Sequence, residues 1–365
     1  MSETADRALR LLHRRKAALA KGDPTAPPIT PAATFHLPGD TQAPFTYGRF
    51  ANPGIAETEA ALAILEDAPC LLFPSGMAAI AAVFHSVLKA GDRVLFPADG
   101  YYTGRKLLDG FLAKFGVTPD YVPTRAIGQT DLAPYSLVFL ETPSNPGLDV
   151  CDIAQIAARK GAARLAVDNT TATMLVQRPL DLGADIVVAA DTKAPNGHAD
   201  LLAGHVATRD PGLMAALHDW RTLSGAIPSP FDAWALHRGL ETFELRLARM
   251  TQTAAMLAER LSGHPALQAL RYPFLAGDPS GPIARRQMQA GGSILTLTLA
   301  DAACAERFIA AAPLAPTTSF GSTHSSAERR ARWGDAVPEG FVRLSVGCEP
   351  PEALWQGIAT ALEGF

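Results

Sequence analysis

Two stretches decide how this chain folds: Ile186-Val187-Val188-Ala189-Ala190-Asp191-Thr192-Lys193, and before it Leu165-Ala166-Val167-Asp168-Asn169-Thr170. Each begins as a short, wholly apolar run, the pattern of a strand buried on both faces of a parallel sheet. Each then reaches a charged residue, and the carboxyl ends of such strands are where open α/β sheets hold their ligands. Taken singly, an Asp after a strand is more often a turn or cap residue, and a lone Thr-Lys more often lies on the surface. Together they place an amine and a carboxylate at strand ends that can face one crevice.

That pair suits pyridoxal 5'-phosphate (PLP). A lysine amine such as that of Lys193 forms a Schiff base with the cofactor aldehyde. A carboxylate such as Asp168, at the far end of the ring, keeps the pyridine nitrogen protonated and the ring an effective electron sink.

Working outward, the chain alternates helical and strand patterns: helix near 56–66, strand 71–73, helix from 77, strand 94–96, helix near 106–115 and strand 137–140. Repeated alternation predicts an α/β fold with a mostly parallel sheet covered on both faces. Residues 232–261 have helical periodicity and lead out of this region. Beyond them, period-two runs at 292–299 and 341–346 flank a helical stretch at 302–311, with a last helix at 351–362, as in a smaller α+β domain. Residues 22–53, rich in Pro, Thr and Gly, read as an extended arm that needs another surface to lie on. The expected division is a helix and arm at 1–54, a large domain at 55–244 and a carboxy-terminal domain at 245–365.

Composition narrows the function. The 365 residues carry a formal net charge of −4 without a run of like charges, which argues against nucleic acid or an anionic membrane surface as main partner. Cys70, Cys151, Cys304 and Cys348 show neither disulfide-framework nor zinc-ligand spacing, so no metal is expected and reduced thiols are. The apolar region 71–88 is broken by Pro74, Ser75, Gly76 and His85, and residues 1–22 lack a signal-type apolar core. A cytoplasmic protein is expected, its partners being small molecules and copies of itself. No dinucleotide fingerprint and no phosphate-binding GxxxxGK[ST] loop occurs.

Further candidates cluster at strand–helix turns. Ser75-Gly76-Met77 lies where backbone N–H groups and a helix N-terminus would face a phosphate. Tyr47 and Arg49, on the arm, supply a hydroxyl and a guanidinium suited to phosphate, and the arm is expected to carry them to a neighbouring subunit. Tyr101 follows a strand end, where it could stack on a flat cofactor and exchange protons, with Tyr102 as rival. Arg343, on a strand of the second domain, could fork onto an α-carboxylate.

In order, Tyr47-Gly48-Arg49, Ser75-Gly76-Met77-Ala78-Ala79-Ile80, Glu141-Thr142-Pro143-Ser144-Asn145-Pro146, Val167-Asp168-Asn169-Thr170, Thr192-Lys193 with Gly197-His198-Ala199-Asp200, and Arg343-Leu344-Ser345-Val346-Gly347 make the chain resemble the Cys/Met-metabolism PLP family. The resemblance spans nearly the whole chain. It implies an aspartate-aminotransferase-like fold, with Lys193 as Schiff-base lysine, Asp168 on the pyridine nitrogen and Tyr101 on the ring. It implies that Gly76, Met77 and Thr192 hold the phosphate, with Tyr47 and Arg49 arriving from the partner subunit in a homotetramer of two dimers. Ser319 and Arg343 match positions gripping the substrate carboxylate, and Asn145 one near the cofactor.

The chain departs from the family in places. Ala190 stands where relatives usually have Ser, removing a phosphate hydrogen bond worth about 1–3 kcal/mol. Ala194 replaces a common Tyr. The stretch Tyr102-Thr103-Gly104 lacks the Cys found in methionine γ-lyases, which counts against that activity. His324 stands where many relatives carry Glu near the distal amino group of cystathionine, and it is a weaker counter-charge. The expectation is a PLP-dependent carbon–sulfur lyase acting on a sulfur amino acid, foremost a cystathionine γ-lyase. The alternatives are a cystathionine β-lyase or a γ-replacement enzyme (cystathionine γ-synthase or O-acylhomoserine sulfhydrylase), with a non-catalytic PLP-fold protein least favoured.

Overall fold

The computed structural model describes residues 3–365, and every count and absence below is of these residues. The larger sheet contains β1 (Cys70–Phe73), β2 (Arg93–Pro97), β3 (Thr118–Val122), β4 (Leu137–Glu141), β5 (Arg164–Asp168), β6 (Ile186–Ala189) and β7 (Gly204–Ala207). Their order is β1-β7-β6-β5-β4-β2-β3. The strands from β6 to β3 are parallel, and β7 runs antiparallel to both β6 and β1. β4 and β6 are buried throughout and β5 at all but its first residue, which is why they read as apolar runs.

The second sheet is β8 (Ala269–Arg271), β9 (Ile294–Thr298), β10 (Ala315–Pro316), β11 (Ser326–Arg329) and β12 (Phe341–Ser345), in the order β10-β11-β12-β9-β8. Only its β10–β11 pair is parallel. Leu257, Leu261, Tyr272, Leu295, Phe308 and Ile358 pack in its core. A separate cluster on the larger sheet holds Phe73 together with Phe84, Phe96 and Phe139, and the rings of the last three meet 4.9–6.1 Å apart. Sheet membership thus changes between β7 and β8, and the helix Phe243–Leu261 runs through the expected boundary at 244/245.

Helix α1 (Glu3–His13) precedes an arm with little regular structure beyond a Thr34–Tyr47 bridge. Helix α2 (Pro53–Glu66) starts where Asn52 accepts from the Gly54 N–H and Pro53 supplies the fixed φ of a first helical residue. Helix α3 (Gly76–Val87) is capped by Ser75, whose Oγ accepts from the Ala78 N–H at 3.1 Å. Two expected helices are broken in the structure. The stretch at 106–115 resolves into α4 (Tyr102–Gly110) and a 3-10 turn, Leu112–Phe115. The stretch at 232–261 resolves into Pro230–Leu240 and Phe243–Leu261, because the chain turns at Glu241-Thr242. No helix is long and apolar enough to cross a membrane.

Candidate active site

The carboxyl ends of β4, β5 and β6 open onto a cavity of about 1010 Å³, closed on the other side by Thr318-Ser319-Phe320, Arg330, Trp333 and Arg343. Ser75, Gly76, Met77, Tyr101, Asn145, Asp168, Thr192, Lys193, Ser319 and Arg343, all singled out from the sequence, line it.

Lys193 lies just past β6. Its Nζ donates to Ser319 Oγ at 2.9 Å and sits 4.8 Å from the Phe320 ring centre. Burial, then the charge of Arg343, lowers its pKa to about 8, so far more of the amine is neutral near physiological pH than in a free lysine. Asp168 ends β5, with Oδ1 accepting from the Thr170 N–H at 2.9 Å. Burial raises its pKa, against hydrogen bonds from Thr170 and the charges of Lys193 and His205.

Arg343 is buried on β12 opposite Glu328 of β11. Its Nη1 donates to Asn145 Oδ1 at 2.6 Å, and its Nη2 to Glu328 Oε2 at 2.8 Å and to the Thr318 carbonyl at 3.0 Å. Burial, then Arg330, lowers its pKa to about 10. These bonds fix the guanidinium plane at the cavity wall.

Gly76 and Met77 occupy the first positions of α3, whose N–H groups have no acceptor within the helix. The approach here is close: a Cβ on Gly76 would lie 2.7 Å from Ala190 Cβ, and one on Gly204 would lie 2.6 Å from Gly76 Cα. Ser75 Oγ, accepting from Ala78, keeps its own proton to donate. Thr192 differs from expectation: its hydroxyl donates to the Ala203 carbonyl at 3.1 Å and accepts from the Ala203 N–H at 3.0 Å. Since that hydroxyl is already engaged within the chain, the helix end and Ser75 are left as the principal anion donors.

Glu141 also lines the cavity, a place its sequence motif did not reveal. It is buried at the end of β4, accepting from the Tyr101 N–H at 2.5 Å and the Asn145 N–H at 2.9 Å. Burial and then the charge of Asp168 push its pKa well above the carboxylate range. Glu141 therefore sets Tyr101 and Asn145 relative to each other; its place at a strand end was the signal available in the sequence.

A family model described as Cys/Met metabolism PLP-dependent enzyme matches residues 10–363. The chain belongs to this family. A Streptomyces coelicolor protein described provisionally as a cystathionine gamma-lyase is 48% identical over 353 residues, covering 94% of this chain and 90% of its own. A cystathionine gamma-synthase of Mycobacterium tuberculosis is 36% identical, covering 92% and 91%. Among solved structures, a methionine gamma lyase from Micromonospora echinospora superposes with a TM-score of 0.91 at 36% identity, covering 97% and 98%. As a member of this Cys/Met-metabolism family, the protein is a PLP-dependent lyase or synthase of trans-sulfuration, with an α/β fold of that class.

The residues present fit the family's cofactor. A buried carboxylate raised by desolvation gains from a cationic ring nitrogen, a lowered lysine is a nucleophile for an aldehyde, and the glycine-tight helix end admits an anion. Three candidates lie elsewhere. Tyr47 is exposed and Arg49 stacks 5.6 and 4.9 Å from the Tyr47 and Phe50 ring centres while donating to the Thr222 carbonyl; neither lines this chain's cavity. Their service to a neighbouring subunit stays a proposal. His324 is exposed and also outside the cavity, its carbonyl taken by Ser322. Where His324 was expected to line the site, Arg330 and Trp333 do so instead. Both are tied to buried Glu328, by 2.8 Å from Arg330 Nη1 and 2.6 Å from Trp333 Nε1. Among the described residues no cluster of His, Cys, Asp and Glu could hold a metal ion.

Proposed function

We propose that this enzyme cleaves the γ carbon–sulfur bond of a thioether amino acid, foremost L-cystathionine, which with one water gives cysteine, 2-oxobutanoate and ammonia. The observation that carries the reading is the convergence of Lys193, Asp168, Ser319 and Arg343 on one cavity. When bound, PLP supplies an electrophilic aldehyde and a ring that withdraws electrons from the substrate Cα. Asp168 would hold the pyridine nitrogen, Tyr101 would cover the ring, and Ser75, Gly76 and Met77 would hold the phosphate.

Arg343, locked by Asn145 and Glu328, forks onto the substrate α-carboxylate. Lys193, whose lowered pKa supplies a free amine, takes the Cα proton and, once it has passed that proton on and is neutral again, a Cβ proton, with Ser319 directing Nζ. Tyr101, its backbone pinned by Glu141, delivers a proton to the departing sulfur. Arg330 offers a second guanidinium toward the distal carboxylate, and Trp333 walls that end. The relative described provisionally as a cystathionine gamma-lyase supports this reading.

The relatives named cystathionine gamma-synthase favour a second reading, γ-replacement on an activated homoserine ester. The deciding assay measures 2-oxobutanoate and pyruvate from L-cystathionine, with Lys193→Ala as blank. Dominant 2-oxobutanoate and a silent blank are expected. Dominant pyruvate would move the enzyme to β-elimination, and no product from cystathionine but cystathionine formed from O-acylhomoserine and cysteine would move it to replacement.

A further inference from the structure

We propose that His205, clasped between Asp191 and Glu66, is a positioning residue that holds the Lys193 turn in place beneath the cofactor. His205 lies on β7 opposite Ala189 of β6 and is wholly buried, as are Asp191 in the turn and, nearly so, Glu66 at the end of α2. Its Nδ1 is 2.9 Å from each Asp191 carboxylate oxygen, and its Nε2 is 3.1 Å from Glu66 Oε1. An imidazole that donates from both nitrogens is the imidazolium. Burial alone would strip its proton, but the two carboxylates outweigh it and raise the pKa to about 10.

Asp191 stands two residues before Lys193. The same turn is laced to its surroundings by the Asn196 N–H on the Asp191 carbonyl at 3.0 Å, the Gly197 N–H on the Lys193 carbonyl at 2.8 Å and the bonds between Thr192 and Ala203. His205 adds a side-chain bolt between this turn and two other elements, β7 and α2. Apolar residues of similar volume would stabilise such an interior as well or better, so three buried ionisable groups argue for a fixed geometry. Lys193 has reason to need one. As the cofactor lysine it would be released from the cofactor and rejoined to it in each turnover, so its backbone would need to be held by something other than that bond.

The other titratable groups facing the clasp are the Cys70 thiol on β1, whose pKa is pushed up by burial and then by Glu66, Asp191 and Glu59, and Asp168 on β5, which the His205 charge keeps nearer to ionised. The proposal rests on Lys193 being the cofactor lysine, which is tested on its own by loss of the enzyme's visible absorbance band in Lys193→Ala.

The test uses holoenzyme carrying His205→Gln or Asp191→Asn. The pH midpoint of the visible lysine–cofactor band should shift by about one unit, and the cofactor should leave roughly tenfold faster, as for lost supports of a site ligand. The kcat should fall while KM stays within about twofold, since substrate contacts are intact. Variants that lose thermal stability but keep the midpoint and the release rate would overturn the proposal. Should they fail to fold, nitrogen-15 NMR of histidine-labelled wild-type holoenzyme decides: a His205 ring protonated through pH 8 is expected, and a ring already neutral at pH 7 would overturn it. A band that survives in Lys193→Ala would sink the reading of Lys193, and the clasp with it.

Discussion

Lys193 and His205 are shifted in opposite directions, and the consequences are opposite too. Lys193 has a folded pKa near 8 against an ordinary 10.5. The neutral amine attacks the cofactor aldehyde, so PLP uptake by the apoenzyme should fall about tenfold per pH unit below 8 and level off above it. Stopped-flow absorbance reads this directly, and a rate still climbing at pH 10 would contradict it. A cation whose folded pKa lies below its unfolded value costs stability while protonated, so apoenzyme stability should rise with pH from about 8 to 10.5 through this group. His205 is raised from 6.5 to about 10, so its contribution is full below 6.5 and is lost as pH rises to about 10. Denaturant midpoints across pH should show Lys193→Ala removing the rise and His205→Gln removing the fall.

At the scale of elements, the site depends on α3 starting against β7 and on the pairing of β11 with β12. In Gly204→Ala the new methyl meets backbone, at 2.6 Å from Gly76 Cα, which cannot swing aside as a side chain would. The change should cost about 1–3 kcal/mol and weaken PLP binding, because the first residue of α3 is what moves. Equilibrium unfolding and cofactor titration together check this; a loss in one without the other would contradict it. Glu328 holds Arg343, Arg330 and Trp333. Glu328→Gln should leave two buried guanidinium groups under-compensated, at a cost of about 3–5 kcal/mol in unfolding free energy.

The same elements show what local pattern could reveal. β4, β5 and β6 were legible because burial on both faces makes an apolar run. β11 was not, since Ser326-Ala327-Glu328-Arg329 spends its buried positions on an ion network rather than on hydrophobic side chains. β3 lies at the sheet edge, exposed at Thr118 and half-buried thereafter, and so lacks the apolar signature.

For the whole molecule, Tyr47 and Arg49 raise the question of how many chains make one site. The cavity carries carboxylates at Asp200 and Asp232, and burial and then the Asp200 charge raise Asp232. A guanidinium arriving from a neighbouring copy would relieve both. If Arg49 serves the partner's cavity, Arg49→Ala and Lys193→Ala enzymes, each weakly active or inactive alone, should complement when unfolded together and refolded. In a randomly mixed dimer roughly a quarter of sites would be intact, and activity should approach that fraction. No recovery in mixtures shown to contain hybrid oligomers would place Arg49 outside the site.

The amino-acid order by itself determined the alternation of strand and helix, the glycine-bearing turn before α3 and the pairing of Lys193 with Asp168 at strand ends. These follow from periodicity and from local backbone chemistry, which act over a few residues. Only the tertiary structure decided the charge state and orientation of the site: which carboxylate holds Arg343, that Thr192 turns to Ala203, that His324 faces outward while Arg330 and Trp333 face in. Glu66 and His205 are 139 residues apart in sequence, and Asn145 and Arg343 are 198 apart. Ionisation depends on burial and on partners brought from such distances, and no local pattern carries that information.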